Sequence, residues 1–201
     1  MNHTQSLNFF LFNVLWMGWN VLLAIVPIII AKTLQRALSN NAQIVLFCLW
    51  LVFLPNTLYM ITDVIHIFNP RFSQMTIPFW ILGILLYLVI FFLAIYNFVL
   101  SIRPVLQKYR TFLNSLSPTY RIVLFSVFSM MIGFAISMGR FQRTNTWYLL
   151  TQPVRVVQDV IDSLTDPTVL FVALFYSIGA FVMISIIESN SLKTHHRVSN
   201  K

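Results

Sequence analysis

The sequence predicts an all-α protein: a polytopic transmembrane helical bundle of about five spans, N-terminus outside and C-terminus cytoplasmic. Three observations carry this. Of the 201 residues, 58% are hydrophobic and only 9% charged, with a mean hydropathy of +0.80, whereas a soluble domain carries about 25% charged residues. The apolar residues gather into five runs, each near the roughly 20 residues that cross a hydrocarbon core. The basic residues fall in the gaps between runs, with a strong bias to alternate gaps.

The first run, 8–31, is expected to be a span and not a cleaved leader, since Met1 to Leu7 carry no lysine or arginine and no small-residue cleavage pattern follows. Within it MGWNVLLAIVP, 17–27, sets Trp19 and Asn20 part-way down the helix and Pro27 near its end. An amide at that depth is expected to hydrogen-bond to another helix. Lys32 and Arg36 mark a short loop before a second span over 42–61, and a third runs over 76–100. Ser117 and Pro118 read as cap and first-turn proline opening a fourth span, 120–138. Residues 139–166 are the longest hydrophilic stretch, the fifth span covers 167–188, and a basic tail fills 189–201. Residues 1–188 thus form one transmembrane domain.

Charge sets the orientation. The first loop, the third loop with Arg121, and the tail hold nine of the basic residues, and the opposite gaps hold four, Arg71, Arg140, Arg143 and Arg155. Asp63, Asp159, Asp162 and Asp166 lie on the poorer side as well, a positive-inside pattern. The net charge of +8 therefore serves topology, and nucleic acid is not expected as a partner. Cys48 is the only cysteine, which excludes an intrachain disulfide and a thiolate cluster. His195 and His196 belong to the basic tail, where contact with anionic lipid is the functional alternative to simple solvation.

Chemistry concentrates in FLPNTLYMITDVIH, 53–66. Pro55 lacks an amide proton and its ring clashes with the carbonyl four residues back, so the second span should break near Leu54. In the piece that follows, Asn56, Tyr59, Asp63 and His66 stand at i, i+3, i+7 and i+10 and share one helical face. Thr62 adjoins them. A second polar group, SMGRFQRTNTW at 137–147, reaches the same outer face. If the fourth helix continues past the membrane, Arg140, Arg143 and Trp147 fall on one side of it, with Asn145 between. Beyond, Pro153 to Thr165 carries Val154, Val157, Ile161 and Leu164 on one face and Arg155, Asp159 and Asp162 opposite. This is the pattern of an interfacial amphipathic helix with an i, i+4 ion pair between Arg155 and Asp159.

Taken together, Gly18-Trp19-Asn20 with Pro27, Leu54-Pro55-Asn56 followed by Tyr59 and Thr62-Asp63-x-x-His66, and Gly139-Arg140-Phe141-x-Arg143-x-Asn145-x-Trp147 resemble the bacterial membrane family catalogued as domain-of-unknown-function family 1361. The resemblance covers nearly the whole chain. It implies a multi-pass protein of the bacterial cytoplasmic membrane and implies no activity. The family pattern tends to place an acid after the tryptophan, where this chain has Tyr148, and a tyrosine-aspartate pair early in the third span, where Trp80 is followed by Ile81 and Leu82. Acids missing there imply the loss of part of any shared metal or proton site.

Several readings of the outer cluster stand side by side. Asp63 would pair with Arg140 or Arg143 and pin the second helix to the fourth, with Asn56, Tyr59 and Asn145 completing the hydrogen bonds. Alternatively the two arginines, His66 and Trp147 grip an anionic head group, making the chain a binding module for membrane lipid or another membrane partner. A catalytic zinc needs three protein ligands, and beyond Asp63 and His66 only Asp159 or Asp162 is at hand, so no metal or other cofactor is expected. A membrane enzyme or transporter subunit acting on a lipid-linked or envelope substrate is the remaining alternative. No complete catalytic constellation is visible for it, and no acid lies deep within the expected spans, which counts against a proton relay.

Overall fold

The computed structural model of the chain describes the backbone of residues 1–199, and the side chains of these except 150 and 191–199. Lys193, His195, His196, Arg197 and Lys201 of the expected tail lie outside the residues so described. Ten α-helices follow in order: α1 His3–Arg36, α2 Asn40–Phe53, α3 Pro55–Thr62, α4 Pro70–Ser73, α5 Ile77–Lys108, α6 Arg110–Ser115, α7 Pro118–Phe141, α8 Tyr148–Thr151, α9 Pro153–Thr165 and α10 Pro167–Ser199. A 3-10 helix, Asp63–Phe68, joins α3 to α4, and there is no strand among the described residues. Five helical stretches are long and apolar enough to cross a membrane: His3–Arg36, Asn40–Phe68, Ile77–Lys108, Pro118–Phe141 and Pro167–Asn190.

Local chemistry explains where these helices begin. Asn2 and Gln5 form a reciprocal capping box at the start of α1. Ser39 and Ser117 cap α2 and α7 by accepting from Ala42 and Tyr120 amides. Pro55, Pro70, Pro78, Pro118 and Pro153 all stand in a first helical turn, where a missing N–H costs nothing. At Leu54 the chain keeps αR geometry while Pro55 opens α3, so the second crossing is broken and not ended there. That helix then runs on past the expected limit at 61, tightening to 3-10 geometry from Asp63.

Side-chain bridges fix how the long helices run. α1 and α5 are parallel: Ser6 Oγ accepts from the Thr76 amide at one end, Tyr87 donates to Asn13 further on, and Gln35 meets Gln107 at the other end. α2 packs against α1 and runs antiparallel to it, and Trp50 reaches across, its Nε1 donating to Ser101 Oγ of α5 at 2.8 Å and its ring stacking on Phe128 of α7. α7 and α10 pack most closely at Gly133, where an added Cβ would overlap the Ala173 carbonyl and Ser177. At the end distant from the N-terminus, Arg121 and Glu188 form an ion pair at 3.0 Å between the same two helices. Both partners are partly exposed, so Glu188→Gln is expected to cost about 1 kcal/mol, read as a small fall in unfolding temperature in detergent.

The outward faces are apolar. Leu15, Phe92, Met130 and Phe171 are exposed on α1, α5, α7 and α10, the arrangement expected of helices whose surroundings are lipid. α9 likewise leaves Val154, Val157, Ile161 and Leu164 exposed, while Val156, Asp159, Val160 and Ser163 turn toward the bundle.

Candidate functional site

The break at Pro55 and the 3-10 turn after it build the site. Asn56, Tyr59 and Asp63 share a face at α-helical spacing, and the tighter 3-10 winding brings His66 over Asp63, since residues three apart eclipse in that geometry. All four meet other segments of the bundle. Asn56 Nδ2 donates to Thr146 Oγ1 at 3.1 Å, and the Tyr59 hydroxyl donates to the Gly139 carbonyl at 3.4 Å. Gly139 is small for a reason: its missing Cβ would lie 3.1 Å from the Tyr59 ring, so the ring rests directly on α7. Thr62 is buried and bonds its own helix at Tyr59.

Asp63 is 1% exposed. Its Oδ2 accepts from Asn20 Nδ2 at 2.9 Å, and its buried Oδ1 has no hydrogen-bond partner among the described residues. His66 Nε2 lies 3.9 Å from that Oδ1 and 3.4 Å from Arg140 Nη1. Because a guanidinium only donates, Nε2 must act as acceptor in the contact with Arg140. Tyr59 of α3, Tyr87 of α5 and Tyr176 of α10 are near enough for both Asp63 and Arg140 to act on them electrostatically.

Several expectations change here. Neither Arg140 nor Arg143 pairs with Asp63: among the described residues neither makes an ion pair with a carboxylate, and Arg140 goes to His66 while Asn20 takes the carboxylate. The fourth crossing does not continue as a helix through Arg143 to Trp147. α7 ends at Phe141, and Arg143 has φ 54°, a left-handed conformation that costs a non-glycine residue about 1 kcal/mol. Arg140, Arg143 and Trp147 are therefore not one helical face. Trp147 instead packs edge-on against Trp19 of α1 with ring centroids 6.3 Å apart. Asn145 lines a cleft.

Asn20 stands 17 residues into α1, about 26 Å from its first residue at 1.5 Å per residue, and His66 beside Asp63 meets Arg140 in the last turn of α7. The carboxylate therefore lies at the level where α7 ends, while α1 runs on beyond it.

Beside the cluster, between α1, the α2–α3 break, α7 and the α8–α9 segment, opens a cleft of about 310 Å³. One end is polar, with Asn20, Asn56, Tyr59, Thr144, Asn145 and Thr146, and the walls are apolar, with Leu23, Leu51, Val52, Met131 and Phe134. Pro55 leaves the Leu51 carbonyl without its i+4 amide donor, on the wall of this cleft. The α8–α9 segment closes one side through Leu149, Val156 and Val160. It is tied down by Thr144 donating to Asp159, by Arg155 at 3.8 Å from the same carboxylate, and by the Arg155 guanidinium 4.5 Å from the centre of the Tyr148 ring. Asp159 thus has Thr144 and Arg155 as its partners, and among the described residues no three His, Cys, Asp or Glu side chains come together to hold a metal.

Tyr87, Asn13, Asn97 and Tyr176 escaped the sequence reading, because single polar residues in apolar runs carry no periodic signal. Tyr87 and Asn97 do share a spacing with Gly83, Ile90, Ala94 and Ser101 that marks the buried face of α5, and that stripe was the signal available.

Five crossing-length apolar helices gathered around one buried carboxylate define a multi-pass helical membrane protein. The family model described as "Protein of unknown function (DUF1361)" matches residues 19–184, which include every motif residue discussed except Gly18; the chain belongs to that family. No curated protein and no solved structure matches it.

Proposed function

We propose that the chain is a non-catalytic binding module of a cytoplasmic membrane, N-terminus outside, which takes an anionic amphiphile from the lipid phase. Its chain enters the apolar part of the cleft, and its head group sits at the outer end, where Arg140 and Arg143 supply charge. The observation that supports this most is the cleft itself, about 310 Å³ with apolar walls and an uncharged polar end whose Gly139 and Thr144 are the chain neighbours of Arg140 and Arg143, two arginines that form no ion pair with a carboxylate among the described residues. Arg143 is exposed and held in left-handed geometry, the kind of strain that accumulates at binding turns. Guanidinium groups match phosphate bidentately. The exposed apolar face of α9 would lie in the outer interface and hold the cleft's side wall at head-group depth.

Phosphatidylglycerol added to protein in a neutral detergent is expected to raise the unfolding temperature more than phosphatidylcholine does, and Arg143→Ala is expected to abolish the difference without lowering the starting stability. Equal shifts with both lipids in the wild type would remove the proposal.

A further inference from the structure

The buried pair beneath the arginines has a feature that a plain ion-pair lock does not need. His66 Nε2 faces two groups that make opposite demands: Arg140 Nη1 at 3.4 Å, which can only donate to it, and the unpartnered Asp63 Oδ1 at 3.9 Å, which can only accept from it while ionised. One nitrogen cannot serve both at once. Without a proton, Nε2 accepts from Arg140. With one, it turns donor, satisfies Asp63 Oδ1 and repels the guanidinium.

We propose that His66 and Asp63 form a proton-binding site that governs whether Arg140 is free to hold a phosphate-bearing anion. The proposal rests on the head-group reading above and adds a second, linked ligand, the proton. Its geometry has three parts. Asp63 is 1% exposed and among the described residues Oδ1 lacks a hydrogen-bond partner, so the ionised carboxylate is costly where it stands, with the His66 ring 3.9 Å away as a neighbour from which to take a proton. His66 has a side chain 38% exposed, which gives the proton a route from water to that neighbour. Asn20 belongs to both halves of the site, since it lines the cleft and donates to Asp63 Oδ2, so a ligand in the cleft touches the residue that steadies the carboxylate.

The surroundings do not supply a rival proton holder with better access. Uncharged Asn20 from α1 bonds Asp63, and the groups in electrostatic reach of it are Tyr59 from α3, Tyr87 from α5, Arg140 from α7 and Tyr176 from α10, with Arg143 acting on Tyr59 from the turn beyond α7. Protonation removes or neutralises the negative charge that opposes an anion here, and it releases Arg140 from His66. The sign of the linkage follows: binding of the anion takes up a proton, and affinity falls as pH rises, by up to about tenfold for each pH unit for a single linked proton.

Calorimetric titration of short-chain phosphatidylglycerol into detergent-solubilised protein, in two buffers of different ionisation enthalpy at several pH values between 5 and 8, reads the proton directly. Uptake approaching one proton per bound lipid is expected in the wild type. His66→Phe should still bind the lipid, with heats that no longer depend on the buffer, and Asp63→Asn should also lose the uptake. Inorganic phosphate titrated in parallel separates a head-group site from a site for free phosphate. Lipid binding with buffer-independent heats in the wild type at every pH would overturn the proton site while leaving the head-group reading standing. If the wild type binds neither lipid nor phosphate, the head-group reading falls, and the proton site is then judged by infrared spectroscopy of the free protein. A histidine ring or carboxyl band that titrates in the wild type and is lost in monodisperse His66→Phe and Asp63→Asn variants supports it, and the absence from the wild type of any titrating band that these variants remove overturns it.

Discussion

Replacing Gly133 by alanine should cost about 3 kcal/mol, at the upper end of what overpacking a closely fitted contact costs. The new Cβ would overlap the carbonyl of Ala173 and the backbone amide of Ser177. Neither can turn aside as a flexible side chain does, so α7 and α10 must separate. Since α7 carries Gly139 and Arg140 at its end, the same separation pulls the arginine away from His66. A lowered unfolding temperature together with a broadened gel-filtration profile in detergent is the expected result. Gly179, where an added Cβ meets no atom within 4 Å, is the control position: Gly179→Ala should be neutral or slightly stabilising, as alanine for glycine within a helix generally is.

The second large effect is at Asn20. Its amide gives Asp63 the one hydrogen bond that carboxylate accepts among the described residues, and removing a bond to a buried charge costs about 2 kcal/mol. Asn20→Leu should therefore destabilise the protein by roughly that amount. The double substitution Asn20→Leu with Asp63→Leu should recover most of the loss, because it removes the buried charge together with its partner. Additive penalties in the thermal unfolding of the three variants would mean that Asn20 and Asp63 do not act as a unit.

The five crossings were legible because apolar runs of membrane length leave little room for another reading, and the break at Pro55 because a proline has one consequence inside a helix. The face shared by Asn56, Tyr59, Asp63 and His66 followed from spacing alone. What the sequence could not show was partners across the bundle. Asn20 was expected to reach another helix, yet nothing in the spacing of either segment says that its target is Asp63, 43 positions away. The end of α7 was hidden for a related reason: Arg140 and Arg143 sit at helical spacing, and the left-handed backbone at Arg143 has no glycine or asparagine to announce it. Attraction between opposite charges suggested Asp63 with an arginine. Packing instead set Arg140 on His66 and left the carboxylate to an amide.

The account turns on whether the outer end of the bundle selects anionic head groups. Native mass spectrometry of lipids that stay bound through purification tests this most directly, comparing the wild type with an Arg140→Gln, Arg143→Gln double variant. The account predicts that the wild type retains anionic phospholipid well above its share of the surrounding membrane, and that the variant, still folded, retains lipid in the bulk proportion. Retention at the bulk proportion by both proteins would contradict it.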